Sequence, residues 1–312
     1  MNRQINITKQ QGTAIVVALF VTALVAAAAI AMIDRLSVDT RRTMLILNNQ
    51  QANLYAEGSI AFAKDQLVND LKFKQPTAVT DRTPITSPAD KINGATVQSV
   101  IEDAQGKVNV NNLTDADYQL FFAQLIQQSA PGIPLSTAKN ITQGVVDWIT
   151  PGLHNTRFDQ YYAKQNPPYR SAHHAMASVS ELRLVQGMTP ALYTALEPLV
   201  TALPLKTTIN INSAPLPVIM ALSPAITPDI AKAFDQYRHE SPLANLDGLK
   251  NFPAIQNSPI GKTALAVSSD FFLVKTHVTI GDQQTMLYTL MMRYLKKSQP
   301  AVIIVWQSKG TL

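Results

Sequence analysis

TAIVVALFVTALVAAAAIAMI, residues 13–33, decides how the rest of this chain is read. It carries no charged residue, and as a helix rising about 1.5 Å per residue it spans roughly 31 Å, the thickness of a bilayer's hydrocarbon core. Arg3 and Lys9 precede it and no acidic residue does. The positive-inside bias therefore predicts a cytoplasmic N-terminus and places everything after Asp34 outside the cytoplasm. Two processing routes are open. Ala29-Ile30-Ala31 reads as a small-x-small site, where cleavage would release a soluble chain beginning at Met32. Gly12, in Gln11-Gly12-Thr13, closes a short polar leader and offers a cut that keeps the apolar helix.

The chain beyond the span favours keeping it. No proline occurs from Thr13 until Pro76, and residues 34–71 are rich in helix formers, so one helix can run through both. Leu36, Met44, Leu47, Leu54, Gly58 and Phe62 recur at helical spacing, which predicts the face that packs on a head. Arg41, Arg42, Asn48, Asn49 and Gln50 lie mostly elsewhere on the helix. A rod half in lipid and half packed on a head suits a subunit that stacks with similar helices more than a released enzyme.

The composition agrees with a folded, anchored protein. At 312 residues, 46% apolar and 15% charged, the chain is long enough for more than one core, and disorder, collagen-like repeats and a polytopic membrane protein are excluded. Cys 0 removes disulfide scaffolds, thiolate nucleophiles, cysteine-ligated zinc and iron–sulfur clusters. The net charge of +5 is spread without a basic run, which is weak support for a nucleic-acid partner.

Residues 75–90 (QPTAVTDRTPITSPAD) read as a loop leaving the stalk. The alternation over 95–101 predicts a strand that turns at 103–106 and returns over 107–111 as a hairpin. Helical spacing then takes over at 116–128, 135–148, 178–186, 191–202 and 216–222. Residues 266–279, 285–294 and 301–307 are rich in Val, Ile, Thr, Phe and Tyr, and predict three antiparallel strands. Val108-Asn109-Val110-Asn111 and Ile209-Asn210-Ile211-Asn212 echo one another, each predicting a strand end whose Asn caps the helix after it.

With these features in place, the N-terminal segment resembles type IV pilin-like proteins. Arg41-Arg42-Thr43, Asn49-Gln50-Gln51-Ala52 and Tyr55-Ala56-Glu57-Gly58 are similar to the stalk of the K-class minor pseudopilins of type II secretion systems. The similarity continues through Gly144-Val145-Val146-Asp147-Trp148-Ile149, Asn166-Pro167-Pro168-Tyr169-Arg170, Ser178-Val179-Ser180-Glu181-Leu182-Arg183-Leu184-Val185 and Val200-Thr201-Ala202-Leu203-Pro204, in order and spacing. The resemblance implies that a prepilin peptidase cuts after Gly12 and methylates the new N-terminus, Thr13. It implies an inner-membrane protein with a periplasmic head, assembling with minor pseudopilins of the I, J and H classes at the tip of a pseudopilus. Most pseudopilins carry Glu at mature position five, where this chain has Val17, a departure shared with the K class. In hydrocarbon an unpartnered carboxylate costs several kcal/mol and Val costs nothing, so a subunit with no neighbour above it does better without the acid.

The expected fold is therefore α+β, a long N-terminal transmembrane and stalk helix packed on an antiparallel pilin-like sheet with an inserted, mostly helical domain. The expected division is 1–12 leader, 13–74 anchor and stalk, 75–112 first part of the sheet, 113–255 helical insertion and 256–312 last strands. The small residues from Ala26 to Ala29 offer partner helices a close approach. A second reading takes 180–191 as a helix-hairpin-helix-like module in a membrane-anchored DNA receptor, although the lobe's basic residues are scattered and its hairpin lacks Gly-x-Gly.

No catalytic constellation is legible. The histidines His154, His173, His174, His239 and His277 have no ligand spacing, and no nucleophile elbow accompanies His173-His174 near Ser171 and Ser178. The family resemblance also implies calcium near the loop after Asp147-Trp148-Ile149. Between Asp147 and Arg170 only Asp147 and Asp159 are acidic, a poor oxygen supply for that ion. Read from the residues alone, Asp147 is a cap or a partner of Tyr161-Tyr162 or 166–170, and Asp159 a solvated loop acid.

Overall fold

The computed structural model describes residues 11–72, 83–296 and 299–310. Most of the leader and residues 75–82 of the expected loop lie outside them. Helix α1 (Gln11–Lys72) continues without a break from the apolar block into the stalk, 62 residues or about 93 Å. Among the described residues nothing covers the most apolar stretch of α1.

The sheet is built from β1 (Ile85–Thr86), β2 (Asp90–Ile92), β3 (Ala95–Asp103), β8 (Phe271–Ile280), β9 (Gln283–Lys296) and β10 (Gln299–Lys309). Its order is β1-β3-β8-β9-β10 with β2 also paired to β3, all antiparallel. β3 and β8 join sequence-distant strands, with Val97 opposite Val278 and Ile101 opposite Val274. Alternation sends Val97, Ile101, Phe272, Val274 and Val278 to one face, where they meet Ala52, Ala56, Ile60, Ala63 and Leu67 of α1. Inside this layer Thr276 Oγ1 lies 2.8 Å from Ser59 Oγ and 2.9 Å from Ser99 Oγ, so the three hydroxyls satisfy one another.

The stalk face differs from the expected one. Leu36, Met44, Leu47 and Leu54 stay 54–66% exposed, and Phe62 is also exposed. The sequence contains two i, i+4 rows, 54–58–62 and 52–56–60, rotated by about 200° from each other. The sheet takes the row with alanines because small side chains let a helix backbone approach closely, and hydropathy spacing alone favours the bulkier row.

The expected hairpin at 95–111 does not form. Asp103 Oδ1 accepts from Gln105 N at 2.7 Å, closing a turn that carries the chain off the sheet, and β4 (Val108–Asn109) pairs in parallel with β5 (Val200–Thr201). The edge of β3 that a hairpin would use belongs to β8. The proline-rich segment after 82 also holds more order than a loop, since β1 and β2 both pair with β3.

Between β3 and β8 lies the helical lobe: α2 (Ala116–Ser129), α3 (Leu135–Ile149), α4 (Arg157–Tyr162), α5 (Pro190–Leu196), α6 (Leu216–Ala221), α7 (Pro228–Glu240) and α8 (Pro253–Gln256). Residues 178–186 form a 3₁₀ turn at Val179–Leu184 rather than an α-helix. The helical spacing over 191–202 ends at Leu196, because Val200 enters β5. β6 (Ile209–Asn210) pairs in parallel with β7 (Leu265–Ala266), so the first of the three late strands starts only at Phe271. One continuous core includes Val108, Val110, Phe122, Tyr162, Phe234, Ile260 and Leu265, and the seams expected at 112/113 and 255/256 fall within it.

Candidate functional site

Among the described residues, the uncovered part of α1 and a polar cluster in the lobe are the features that bear on the expected functional residues. Gly12 and Thr13 lie in the first turn of α1, and Val17 is 60% exposed on the apolar helix. The outward row of Leu36, Met44, Leu47, Leu54 and Phe62 extends that apolar surface down the stalk, past the head's rim at Ile92. Exposed apolar surface of this extent on one helix marks an interaction surface, and its N-terminal part is long and apolar enough to cross a membrane.

In the lobe, the sequence-distant motifs meet. Trp148 Nε1 donates to Glu181 Oε2 at 3.0 Å, while Glu181 Oε1 accepts from Ala177 N at 2.7 Å and Ser178 N at 3.3 Å. Glu181 thereby closes a capping box with Ser178 and ties it to α3. Tyr169 stacks on Tyr162 with centroids 5.0 Å apart and donates to Leu184 O at 2.8 Å. Burial pushes the Tyr162 hydroxyl up to about 12, and its oxygen accepts from Gln186 N at 3.1 Å. These motifs are the internal joints of the lobe.

Asp147 and Asp159 come together as well, and His173 joins them: one ligand atom from each lies within 4.8 Å of the others. Asp147 Oδ1 accepts from Ser171 Oγ at 3.1 Å, which places its partner just past the segment expected for it. Asp159 is no free loop acid. It occupies the third position of a capping box, where Oδ2 accepts from Thr156 N at 3.0 Å and Thr156 Oγ1 accepts from Asp159 N. Burial works against its charge, but the Thr156 amide and His173 outweigh it and hold the carboxyl below its ordinary value.

His173, held at φ +48°, places Nδ1 3.1 Å from the Asp147 carbonyl oxygen and Nε2 3.0 Å from Asp159 Oδ1. His174 turns away to Ala175 O. The Ser171 hydroxyl is bound to Asp147 and not to a histidine, so the serine–histidine pairing suggested by proximity in sequence is not made. Sequence spacing does not single out His173, because its partners Asp147 and Asp159 lie on two other segments, α3 and α4. Calcium asks for about six to eight oxygens. The side chains gathered here are two carboxylates, each already holding a donor, and one imidazole, which do not make such a shell.

The hairpin of the DNA-receptor reading is occupied internally. Val185 N donates to Leu182 O, Gln186 N to Tyr162 Oη and Met188 N to Val185 O, so these amides do not face a phosphate. Arg183 lies over the Tyr193 ring at 4.4 Å.

A pilin-like sheet packed on a long apolar helix, with a helical lobe inserted between two sheet strands, defines an anchored pseudopilin with an enlarged head. Residues 106–205 and 209–268 match two family profiles, both described as type II secretion system (T2SS), protein K. Type II secretion system protein K of Pectobacterium carotovorum subsp. carotovorum is 30% identical over 298 residues, covering 88% of this chain and 90% of the relative. That of Pseudomonas aeruginosa is 27% identical over 301 residues, covering 91% and 89%. A chain of the GspK-GspI-GspJ complex from the enterotoxigenic Escherichia coli type 2 secretion system shares the fold, with a TM-score of 0.73 at 24% identity over 87% of this chain and 100% of that one. The chain belongs to the type II secretion system protein K family, the minor pseudopilins of that system. The DNA-receptor alternative has no support among these relatives.

Proposed function

We propose that the chain is a scaffolding subunit at the tip of the pseudopilus, anchored in the inner membrane with its N-terminus cytoplasmic and its head periplasmic, where it supports pseudopilus assembly and export of folded proteins. The observation that carries this is the division of α1: the row Ala52, Ala56, Ile60, Ala63 and Leu67 is sealed by the sheet, whereas the apolar surface from Thr13 to Leu47 has no cover among the described residues. Lipid covers such a surface before assembly and neighbouring helices cover it afterwards. The similarity to a chain of the GspK-GspI-GspJ complex supports partners of the I and J classes, and the reading includes the H class as a further partner.

A prepilin peptidase would remove residues 1–12 after Gly12 and methylate Thr13. Val17, in place of the family acid, removes the need for a subunit above. The chain's part is assembly and contact, not catalysis.

N-terminal sequencing of the full chain from membranes should begin at methylated Thr13, and the chain in detergent should form a stoichiometric complex with I- and J-class partners. A start at Met32, or no complex, would overturn the reading.

A further inference from the structure

We propose that the crevice between the sheet and the helical lobe binds a carboxylate carrying an apolar body the size of one aromatic ring, with Lys107 as its counter-ion. The floor is a row that strand pairing sets across the sheet: Glu102 lies opposite Leu273, Leu273 opposite Leu290, and Leu290 opposite Trp306. Leu290 and Trp306 belong to the apolar cluster on the face away from α1. The lobe forms the roof, through Val179, Tyr193 of α5 and Val200 of β5. It does not close on the row, and a cavity of about 170 Å³ is left. An apolar cavity of about 150 Å³ holds benzene, so this one takes a single ring or a branched aliphatic group.

Lys107 lines this cavity half-buried, and among the described residues its ammonium has no hydrogen bond and no ion pair. Burial pulls its pKa below the ordinary lysine value, the Lys275 ammonium adds to this, and Glu102 and Glu197 offset it only in part. The nearer acids are committed elsewhere. Glu102 Oε1 accepts from Lys275 Nζ at 2.8 Å, Asp103 Oδ1 from Gln105 N at 2.7 Å, and Asp103 Oδ2 from Asn210 Nδ2 at 2.8 Å and from Ser213 Oγ. Glu197 is exposed at the rim, where water and salt screen it. A half-buried ammonium without a counter-ion is costly, and a carboxylate held beside it by an apolar body on Leu273 and Trp306 supplies one in a charge-assisted hydrogen bond. A free apolar acid and the C-terminal residue of an apolar peptide share this chemistry.

Trp306 is one of two tryptophans, and the other, Trp148, is bonded to Glu181 inside the lobe, so indole fluorescence of the full chain in detergent reports on the cavity. The probes are phenylpropionate and an N-acetylated tripeptide ending in phenylalanine with a free carboxylate. Either should shift the fluorescence saturably, and the tighter of the two identifies the source as a free acid or a chain end. Their amides should bind at least about tenfold more weakly, the loss expected when a charge-assisted hydrogen bond is removed. Trp306→Phe should erase the response, which separates binding here from partition into detergent. Lys107→Gln should bind acid and amide alike and melt no lower than the wild type, because its ammonium has no partner to lose, while Lys107→Arg should keep the preference for the acid. Equal affinity of the wild type for acid and amide, a preference for the acid that survives in a folded Lys107→Gln chain, a response that persists in Trp306→Phe, or no saturable response to either acid would each overturn the proposal.

Discussion

Asn111 and Asn212 make the same set of bonds in two halves of the lobe. Asn111 accepts from Met176 N and donates to Met176 O and Leu203 O, at 2.8, 3.0 and 2.9 Å. Asn212 accepts from Leu243 N and donates to Leu243 O and Val267 O, at 3.0, 2.9 and 3.0 Å. In each half the preceding asparagine, Asn109 or Asn210, accepts the amide of this one, and a two-residue parallel bridge is built on the same plan. The echo between 108–111 and 209–212 is thus a repeated clamp, in which a buried amide side chain replaces a strand partner for a loop.

Replacing either clamp should be costly. Asn111→Ala strands both peptide groups of Met176 and the carbonyl of Leu203, and a buried unsatisfied group costs about 1–3 kcal/mol. Denaturant unfolding of the full chain in detergent should show a loss of at least about 3 kcal/mol for Asn111→Ala and a similar loss for Asn212→Ala. A loss under half of that would mean that water replaces the clamp.

Gly144 sits where α3 approaches its neighbours. A Cβ there would lie 2.9 Å from Val185 Cγ1 and 3.3 Å from the Phe158 ring. Gly144→Ala should destabilise the lobe by about 1–3 kcal/mol. Combining it with Val185→Ala should recover part of the loss, giving a coupling that a double-mutant cycle reads directly.

Alkaline pH should loosen the lobe through Tyr162. Its hydroxyl titrates near 12 in the folded chain, raised by burial, against 10 when unfolded. The unfolded state therefore releases its proton first. The stabilisation is complete below pH 10 and is lost as pH rises towards 12, by about 2–3 kcal/mol. Tyrosinate absorbance should lag for this ring, and Tyr162→Phe should flatten the decline in stability across that window.

The two faces of α1 predict opposite phenotypes. Ala56→Leu adds bulk where the helix meets the sheet, and should lower the melting temperature through an overpacking cost of about 1–3 kcal/mol. Leu54→Glu, on the exposed row, should leave melting unchanged and weaken assembly with partner pseudopilins. If the outward row is not a contact surface, Leu54→Glu will assemble as the wild type does.

How far the sequence could be read depended on whether the signal was local. α1, α2, α3 and the last two strands were legible from periodicity. α7 carried its own start signal, Thr227 capping before Pro228, but its apolar face is narrow, resting on Ala231 and Phe234. α4 is a single capped turn, too short for periodicity to register. Hydropathy spacing points to the wrong row of the stalk because alanines weigh little in hydropathy although they decide how closely a helix approaches. Asp147 and Asp159 stood out as acids near a family motif, whereas His173 joined them only through folding.

The amino-acid order by itself determined the uncharged helix at 13–33, its continuation into a stalk, the strand-rich ends and the motif series that marks the family, because each depends on neighbours within a few residues. Tertiary structure alone decided which face of the stalk met the sheet, that β3 paired with β8 instead of folding back, and that an aspartate from α3, another from α4 and a distant histidine share one site. Those choices rest on packing distance and on hydrogen bonds between remote segments, and neither is encoded in any local period of the chain.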